Sequence, residues 1–361
     1  MAERVNYVSG VWYAVPCPLS EIWKSLGVSH TDPVEVALAD SMLTFAAAKW
    51  APGSLNQYTG AFARFATWCE ERNPPRESLP AEPLTVALYL LYLTQISNTF
   101  SVIKTASAAI HTMHKLSLSD KEPTSHPLVQ LMRESSQRVL GARLVNQKEP
   151  LDFEVLRKAA NRACETDDFL LRLSVTMAVL GFAGFLRYSD LVILTAADVR
   201  FEDGHMKLFL EHRKNDQLRE GNVVISKGCT GACPVWWTRW LFNSLGLQGN
   251  TRLFQRFDGR VARFHPGKAK ETLTGIVMPY EQCSRLVLRL VATELGISEE
   301  HAKKRFGTQS LRSGGATLVA AEGVDDRNFQ RHGGWRSVAV KDRYVKDSLD
   351  AKLAVTAVMR Y

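Results

Sequence analysis

No stretch of the 361 residues is long and apolar enough to read as a membrane span. The longest apolar run, 169–186, carries Arg172 and Ser174 and lies between charged segments, which predicts a buried helix. The first residues include Glu3 and hold no clean apolar core, so a secretory signal is not expected and the protein is read as intracellular. Cysteine is sparse and scattered, with Cys17, Cys69, Cys164, Cys229, Cys233 and Cys283 suiting free thiols in a reducing compartment. Only Cys229 and Cys233 are close. A zinc site needs about four ligands and no second Cys/His pair lies nearby, so the two read as small loop residues. Internal repeats and low-complexity tracts are also missing. A hydrophobic fraction of 45% and a charged fraction of 23% exclude a disordered chain.

Charge is unevenly divided. Residues 1–145 hold 12 basic and 12 acidic side chains, whereas 146–361 hold 33 and 25 and so carry the whole excess of +8. A basic half of this kind attracts polyanions, of which nucleic acid is the commonest inside cells.

The length favours two domains. Residues 1–33, broken by Pro16, Pro18 and Pro33, read as an arm. Helical patterns then follow at 32–50, 54–73, 84–97, 100–116 and 126–144. The second of them has Leu55, Tyr58, Phe62, Phe65 and Trp68 on one stripe. The polar segment 144–154 reads as a linker, with a new helix starting at Asp152. Strand-like runs at 199–226 are separated by Glu202-Asp203-Gly204 and by a charged turn, and further helices lead to the end of the chain. The fold class expected is mainly α with a small antiparallel β-sheet (α+β), arranged as an arm over 1–33, a helical bundle over 34–145 and a mixed domain over 146–361.

Four clusters in the basic half could carry chemistry. In "GFLRYSDL" (184–191), Arg187 follows the apolar helix and Asp190 stands three residues on, a spacing that equally fits a helix-end ion pair. The charged turn holds Arg213, Lys214 and Arg219, either solvated or pushed toward a phosphate. In "GTQSLRSGGAT" (307–317), Arg312 precedes a small-residue run that suits an anion site or close helix packing. In "HGGWRSVAVKDRY" (332–344), Trp335 and Tyr344 are nine residues apart among basic residues.

Together, in this order and spacing, the clusters resemble the tyrosine recombinase (phage integrase) family over 34–361. That family's pattern has an arginine in a "GLRxSEL"-like segment, a lysine in a β-hairpin, a "THxLRHTxAT"-like segment, and a "GH/W" followed nine residues later by tyrosine. Arg187, Lys214, Arg312, Trp335 and Tyr344 fall at the matching positions, with Asp190 at the acidic one, and "AAEGV" (320–324) is similar to the family's "LEAGV".

The resemblance implies a helical core-binding domain over 34–145, a catalytic domain over 146–361, double-stranded DNA as partner, and strand exchange with neither metal nor other cofactor. Tyr344 is then the nucleophile, Arg187 and Arg312 grip the phosphate, Lys214 protonates the leaving oxygen, and Trp335 donates to the phosphate or walls its pocket. Where the family usually has histidine this chain has Gln309, which can donate a hydrogen bond but cannot exchange a proton near neutral pH, so it is assigned phosphate contact only. Arg213, Arg219, His332 and Arg336 are DNA-binding candidates, His332 also a structural one. Gly333 and Gly334 imply a close approach of backbone to DNA or phosphate. The family works as a tetramer. Residues 346–361, with Leu349 and Leu353 one turn apart, fit a helix docking on a neighbouring protomer or packing on its own domain. The Gln309 and Trp335 choices are similar to recombinases of eukaryotic mobile elements (Crypton- or DIRS-like), which would place the protein in a nucleus, and otherwise in a cytoplasm. A type IB topoisomerase and a catalytically silent DNA-binding descendant stay open as alternatives.

Overall fold

The computed structural model describes residues 32–346 apart from 118, 142–146, 211–221 and 258–272, together with 353 and 357. The chain divides into two compact units, Met1–Val145 and Asn146–Tyr361.

In the first unit, α1 (Pro33–Ala47), α2 (Pro52–Glu70), α3 (Pro83–Ile96), α4 (Phe100–Leu116) and α5 (Pro127–Leu140) follow one another. Four of the five begin on proline, whose fixed φ suits a first helical residue and whose missing N–H is not needed there. Asp32 caps α1 by accepting from the Val34 backbone N–H at 2.8 Å. On α2 the stripe read from sequence turns inward, with Leu55, Phe62, Phe65 and Trp68 buried. It packs on α4, where Ile103, Ile110 and Met113 are fully buried. Tyr89 of α3 closes the core against Phe65 and Trp68, with ring centroids 5.0 and 5.2 Å apart.

One polar side chain is built into that core. His114 Nδ1 donates to the Ile110 carbonyl at 2.8 Å, so its Nε2 is left to accept from the Ala81 N–H at 2.9 Å. This neutral tautomer ties the loop before α3 to α4.

In the second unit, α6 (Phe153–Cys164) and α7 (Phe169–Ala183) open the fold, followed by the short α8 (Tyr188–Ile193). A three-stranded antiparallel sheet comes next, β1 (Val199–Glu202), β2 (His205–Phe209) and β3 (Asn222–Ser226), in that spatial order. Met206 pairs with Ile225 and Leu208 with Val223, and these four side chains form its buried face. The connection between β2 and β3 holds Arg213, Lys214 and Arg219, all three outside the described residues. After α9 (Pro234–Leu245), a second ladder pairs β4 (Gln255–Phe257) with β5 (Leu273–Val277). This second, separate sheet goes beyond the one small sheet expected from sequence; three residues of β4 are too few for alternation to reveal a strand. Then come α10 (Tyr280–Leu295), α11 (Glu299–Arg305), α12 (Gln309–Ala321), α13 (Asp326–Gly333) and α14 (Val338–Asp342).

The centre of this unit is α7, against which α6, α9, α10 and α12 pack. Covered from several sides, it is apolar around its whole circumference, as a fully buried helix must be. Its Arg172 lies on the rim, donating to the Ala163 carbonyl at 3.1 Å and stacking 5.8 Å from the Trp240 ring. Among the described residues no helix is long and apolar enough to cross a membrane. At the other end of α7, helix α12 comes close because two of its residues lack side chains. A Cβ on Gly314 would lie 2.1 Å from the Leu151 carbonyl oxygen, and one on Gly315 would lie 2.3 Å from that of Phe182. Close packing is thus the reason for the "SGGAT" run.

Burial lowers the pKa of His114 below 6.5, only partly offset by its bond to Ile110. The unfolded chain therefore takes up more protons than the folded one as pH falls through 6.5. The stability from a neutral His114 is complete above that pH and is lost on going down toward the lowered folded value. The urea midpoint is expected to fall between about pH 7.5 and about pH 5.5, and His114→Gln, which keeps an acceptor for Ala81, should flatten that fall. An unchanged slope in the variant would contradict this account.

Candidate active site

The site starts where α7 ends. The chain leaves the helix at Gly184, turns through Phe185 with φ of 48°, and re-enters a helix at Arg187. Asp190 fixes that re-entry: its Oδ2 accepts from the Arg187 backbone N–H at 3.0 Å. The same carboxylate oxygen is 3.9 Å from Arg187 Nη1, close enough for attraction but too long for a hydrogen bond. Asp190 is buried, so its charge holds the turn and biases the arginine without fully engaging it.

Arg312, one turn into α12, is fully buried. Its Nη1 donates to the Phe185 carbonyl, and its Nη2 donates to the Gly333 carbonyl at 2.7 Å. The guanidinium carbon lies 4.6 Å from the Trp335 ring centroid and 4.8 Å from that of Tyr344, and the two rings are 5.4 Å apart. One side chain thus joins the turn before Arg187, the end of α13, and the tyrosine beyond α14. Gln309, three residues before Arg312, is the exposed first residue of α12.

Trp335 and Tyr344 belong to a small aromatic cluster with Phe185 and Phe329. Two hydrogen bonds hold the backbone of Trp335: its N–H donates to the Gln330 carbonyl at 3.1 Å, and its own carbonyl accepts from Gln330 Nε2 at 3.0 Å. Thr317 brackets the tyrosine, donating to the Tyr344 carbonyl at 3.4 Å and accepting from the Lys346 N–H at 3.1 Å. Lys341, nearly buried, ties α14 to α13 through an ion pair with Asp326 and stands 5.2 Å over the Phe329 ring. Arg187 Nη1 and Trp335 Nε1 are among the buried donors of this region that make no hydrogen bond among the described residues. Donors left so are costly unless an acceptor-rich group visits them.

No protein-family model matches the chain. Among curated proteins it is 24% identical over 304 residues to an integrase/recombinase XerD homolog of Selenomonas ruminantium, covering 82% of each chain. It is 22% identical to the Cre recombinase of Escherichia phage P1, covering 78% of this chain and 80% of that one. Among solved structures, the Tn1549 transposon integrase in complex with transposon right-end DNA matches at a TM-score of 0.54 and 13% identity, covering 95% of this chain and 98% of that one. A lambda integrase tetramer bound to a Holliday junction matches at 0.50 and 14%, covering 92% and 82%. The chain has the tyrosine recombinase fold.

Within that fold the structure brings Arg312, Trp335 and Tyr344 into contact and sets Arg187 two residues from the carbonyl that Arg312 holds. Lys214, Arg213 and Arg219 lie outside the described residues, as does most of the tail 346–361. Arg336 is exposed on the surface. His332 has an internal role: its Nε2 donates to the Ala183 carbonyl at 2.7 Å, and its ring meets Phe185 edge-on at 4.7 Å. The glycines before Trp335 correct an expectation, since the close approach they permit is internal. A Cβ on Gly333 would lie 2.0 Å from the Trp335 ring, and Gly334 takes the left-handed conformation that ends α13. Thr317 and Lys341 were not singled out from sequence. The "AT" of the motif marked Thr317, but nothing local showed that its hydroxyl reaches residues 344 and 346.

Gly333→Ala is expected to unseat Trp335 and cost about 1–3 kcal/mol in equilibrium unfolding, the usual penalty for overpacking a filled site. A variant as stable as the wild type would show that the ring does not occupy that space.

Proposed function

We propose that the chain is a site-specific DNA recombinase that breaks and rejoins strands through a 3′-phosphotyrosyl intermediate. The observation that carries this is the Arg312 guanidinium packed against both Trp335 and Tyr344 while bonded to the turn that presents Arg187. The Tyr344 hydroxyl gives up its proton to solvent as its oxygen attacks the scissile phosphorus, and the bond to the 5′ oxygen breaks. Lys214 gives that oxygen a proton, so a 5′-hydroxyl leaves. A 5′-hydroxyl from another strand attacks the phosphotyrosine, restores the phosphodiester and returns the tyrosine. The bond energy is kept throughout, so no ATP is consumed.

Arg187 and Trp335 supply donors to the non-bridging oxygens, and both already hold buried N–H groups without acceptors. Arg312 contributes a fixed positive charge beside the nucleophile's ring and holds the pocket's three segments together. Arginine suits this task because it stays charged at any working pH and its planar fork spans two carbonyls. Gln309, at the exposed start of α12, contacts phosphate as a neutral donor. The first unit and the basic turn at 213–219 grip the duplex. The protein multimerises on DNA, and residues 346–361 dock on the neighbouring protomer. The compartment follows the DNA it works on, a nucleus for a eukaryotic mobile element and otherwise a cytoplasm.

The direct test is a library of nicked duplexes with randomised cores, which traps the enzyme once the short cleaved strand diffuses away. The wild type should form an adduct stable to denaturing detergent, and Tyr344→Phe should abolish it. An adduct persisting in that variant would remove the nucleophile assignment, and none from the wild type across the library would favour a silent DNA-binding protein. In the same assay Gln309→His should cleave at least as well as the wild type. Complete loss there would show that the glutamine does something a histidine cannot.

A further inference from the structure

Granted the strand-cleavage reading of this pocket, we propose that Phe185 is a positioning residue that couples the two arginines: its ring is caged so that a left-handed backbone turn aims Arg187 while its carbonyl anchors Arg312. The starting point is a conflict between residue type and conformation. Phe185 has φ of 48°, and it alone among the described non-glycine residues has positive φ. This region favours glycine because a Cβ there crowds the backbone. In the "GLRxSEL"-like pattern the residue two before the arginine is glycine, and here Phe185 stands at that place. The chain therefore accepts backbone strain at a position where a smaller residue would avoid it. Such strain persists only where the surroundings over-determine it.

The surroundings do so from three directions. Phe329 and His332 meet the Phe185 ring edge-on at 5.8 and 4.7 Å, and Trp335 lies against it at 5.8 Å. Gly315 makes room for it, since a Cβ there would fall 2.7 Å from Phe185 Cε1. The His332 bond to the Ala183 carbonyl and the Arg312 bond to the Phe185 carbonyl clamp the turn on either side. With Phe185 pinned, Leu186 is buried and Arg187 becomes the N-cap of α8, so the direction in which its guanidinium leaves the backbone is set. The ring and the carbonyl belong to one residue, so displacing either moves both arginines together. In this scheme Phe185 makes no contact with the phosphate and acts through Arg187 and Arg312.

The experiment uses the full chain and a nicked duplex that the wild type has captured. Affinity for the intact duplex is read by fluorescence anisotropy, adduct formation by single-turnover kinetics, and folding by the thermal midpoint. Phe185→Gly relieves the backbone but empties the cage. Its cleavage rate should fall at least about tenfold, as sub-ångström misplacement of a phosphate-holding group does, while affinity stays within about twofold. Phe185→Tyr keeps the ring that fills the cage, beside a cavity of about 460 Å³ that Phe185 helps to line, and should cleave near the wild-type rate. Should the glycine variant not fold, Phe185→Leu keeps most of the volume without the ring, and a clear loss of rate at unchanged affinity supports the same conclusion. Cleavage by Phe185→Gly or Phe185→Leu within about twofold of the wild type would overturn the proposal. So would a loss that tracks the fall in thermal stability with cleavage per folded molecule unchanged. Absence of any wild-type adduct would instead remove the recombinase reading beneath it, and the proposal with it.

Discussion

The fully buried guanidinium of Arg312 ties together the segments of the candidate site. Burying the Arg312 guanidinium costs several kcal/mol after relaxation, and the structure offsets this in two ways. Two charge-assisted hydrogen bonds to carbonyls, of about 1.5–3 kcal/mol each, take up the fork, and two aromatic faces supply cation–π contacts of roughly 0.5–2 kcal/mol each. The carbonyls come from residues 185 and 333, and the rings from residues 335 and 344. Three separate stretches of chain, at 185, 333–335 and 344, are thus fixed by the requirement that one positive charge be satisfied. Removing the guanidinium would leave two buried carbonyls unpaired and two rings without their partner. The same charge therefore serves the fold and the proposed chemistry.

For Arg312 to reach the turn at 185, α12 must cross the end of α7 at backbone contact. This is where Gly314 and Gly315 enter, since any Cβ would strike the carbonyl of Leu151 or Phe182. The segment entering α6 is held to the same place, with the Leu151 N–H donating to the Ser310 carbonyl at 2.9 Å. Just before it, Glu149 pairs with Arg305 through two hydrogen bonds of 3.0 and 2.7 Å, which lower the carboxyl's pKa and raise that of the arginine. Both partners are largely solvated, so the pair adds little stability and serves chiefly to fix register. Packing without side chains brings the helices together, and polar contacts then set their relative slide.

Much of this was legible in the sequence, and the reasons are local. Proline and aspartate at helix starts mark α1 and α6, and a three-and-four spacing of aromatics marks the buried face of α2. The order and offsets of the arginines, the tryptophan and the tyrosine depend only on chain position, so they are visible without coordinates. The turn at 185 was not legible. Phe185 and Leu186 are as apolar as the helix before them, so the run 169–186 reads as continuous, yet the helix stops at Ala183. What stops it is a cage built from residues more than a hundred positions away, and no local pattern encodes that. Gly333 misled for the same reason: a glycine announces a close approach but not to what. His332, read as a structural or a DNA-backbone residue, found its partner at the Ala183 carbonyl.

The donors left unpaired around this cluster bear on how the site would work. A pocket optimised for stability alone would give Trp335 Nε1 and Arg187 Nη1 acceptors of their own, because each buried unpaired donor costs about 1–3 kcal/mol. The acidic side chain best placed to satisfy Arg187 stops short, with Asp190 at 3.9 Å and its oxygen already committed to the backbone N–H. Moving that carboxylate closer would neutralise the arginine and close off the position a phosphate oxygen would take. Holding it back keeps the donor buried and oriented, with attraction from Asp190 but no hydrogen bond, so little reorganisation is needed when negative charge arrives. Electrostatic stabilisation of a transition state works this way: the cost is met when the protein folds, and the return comes when charge develops on the substrate. The left-handed turn at Phe185 belongs to the same economy, because strain there is tolerated only if it keeps Arg187 where a relaxed backbone would not.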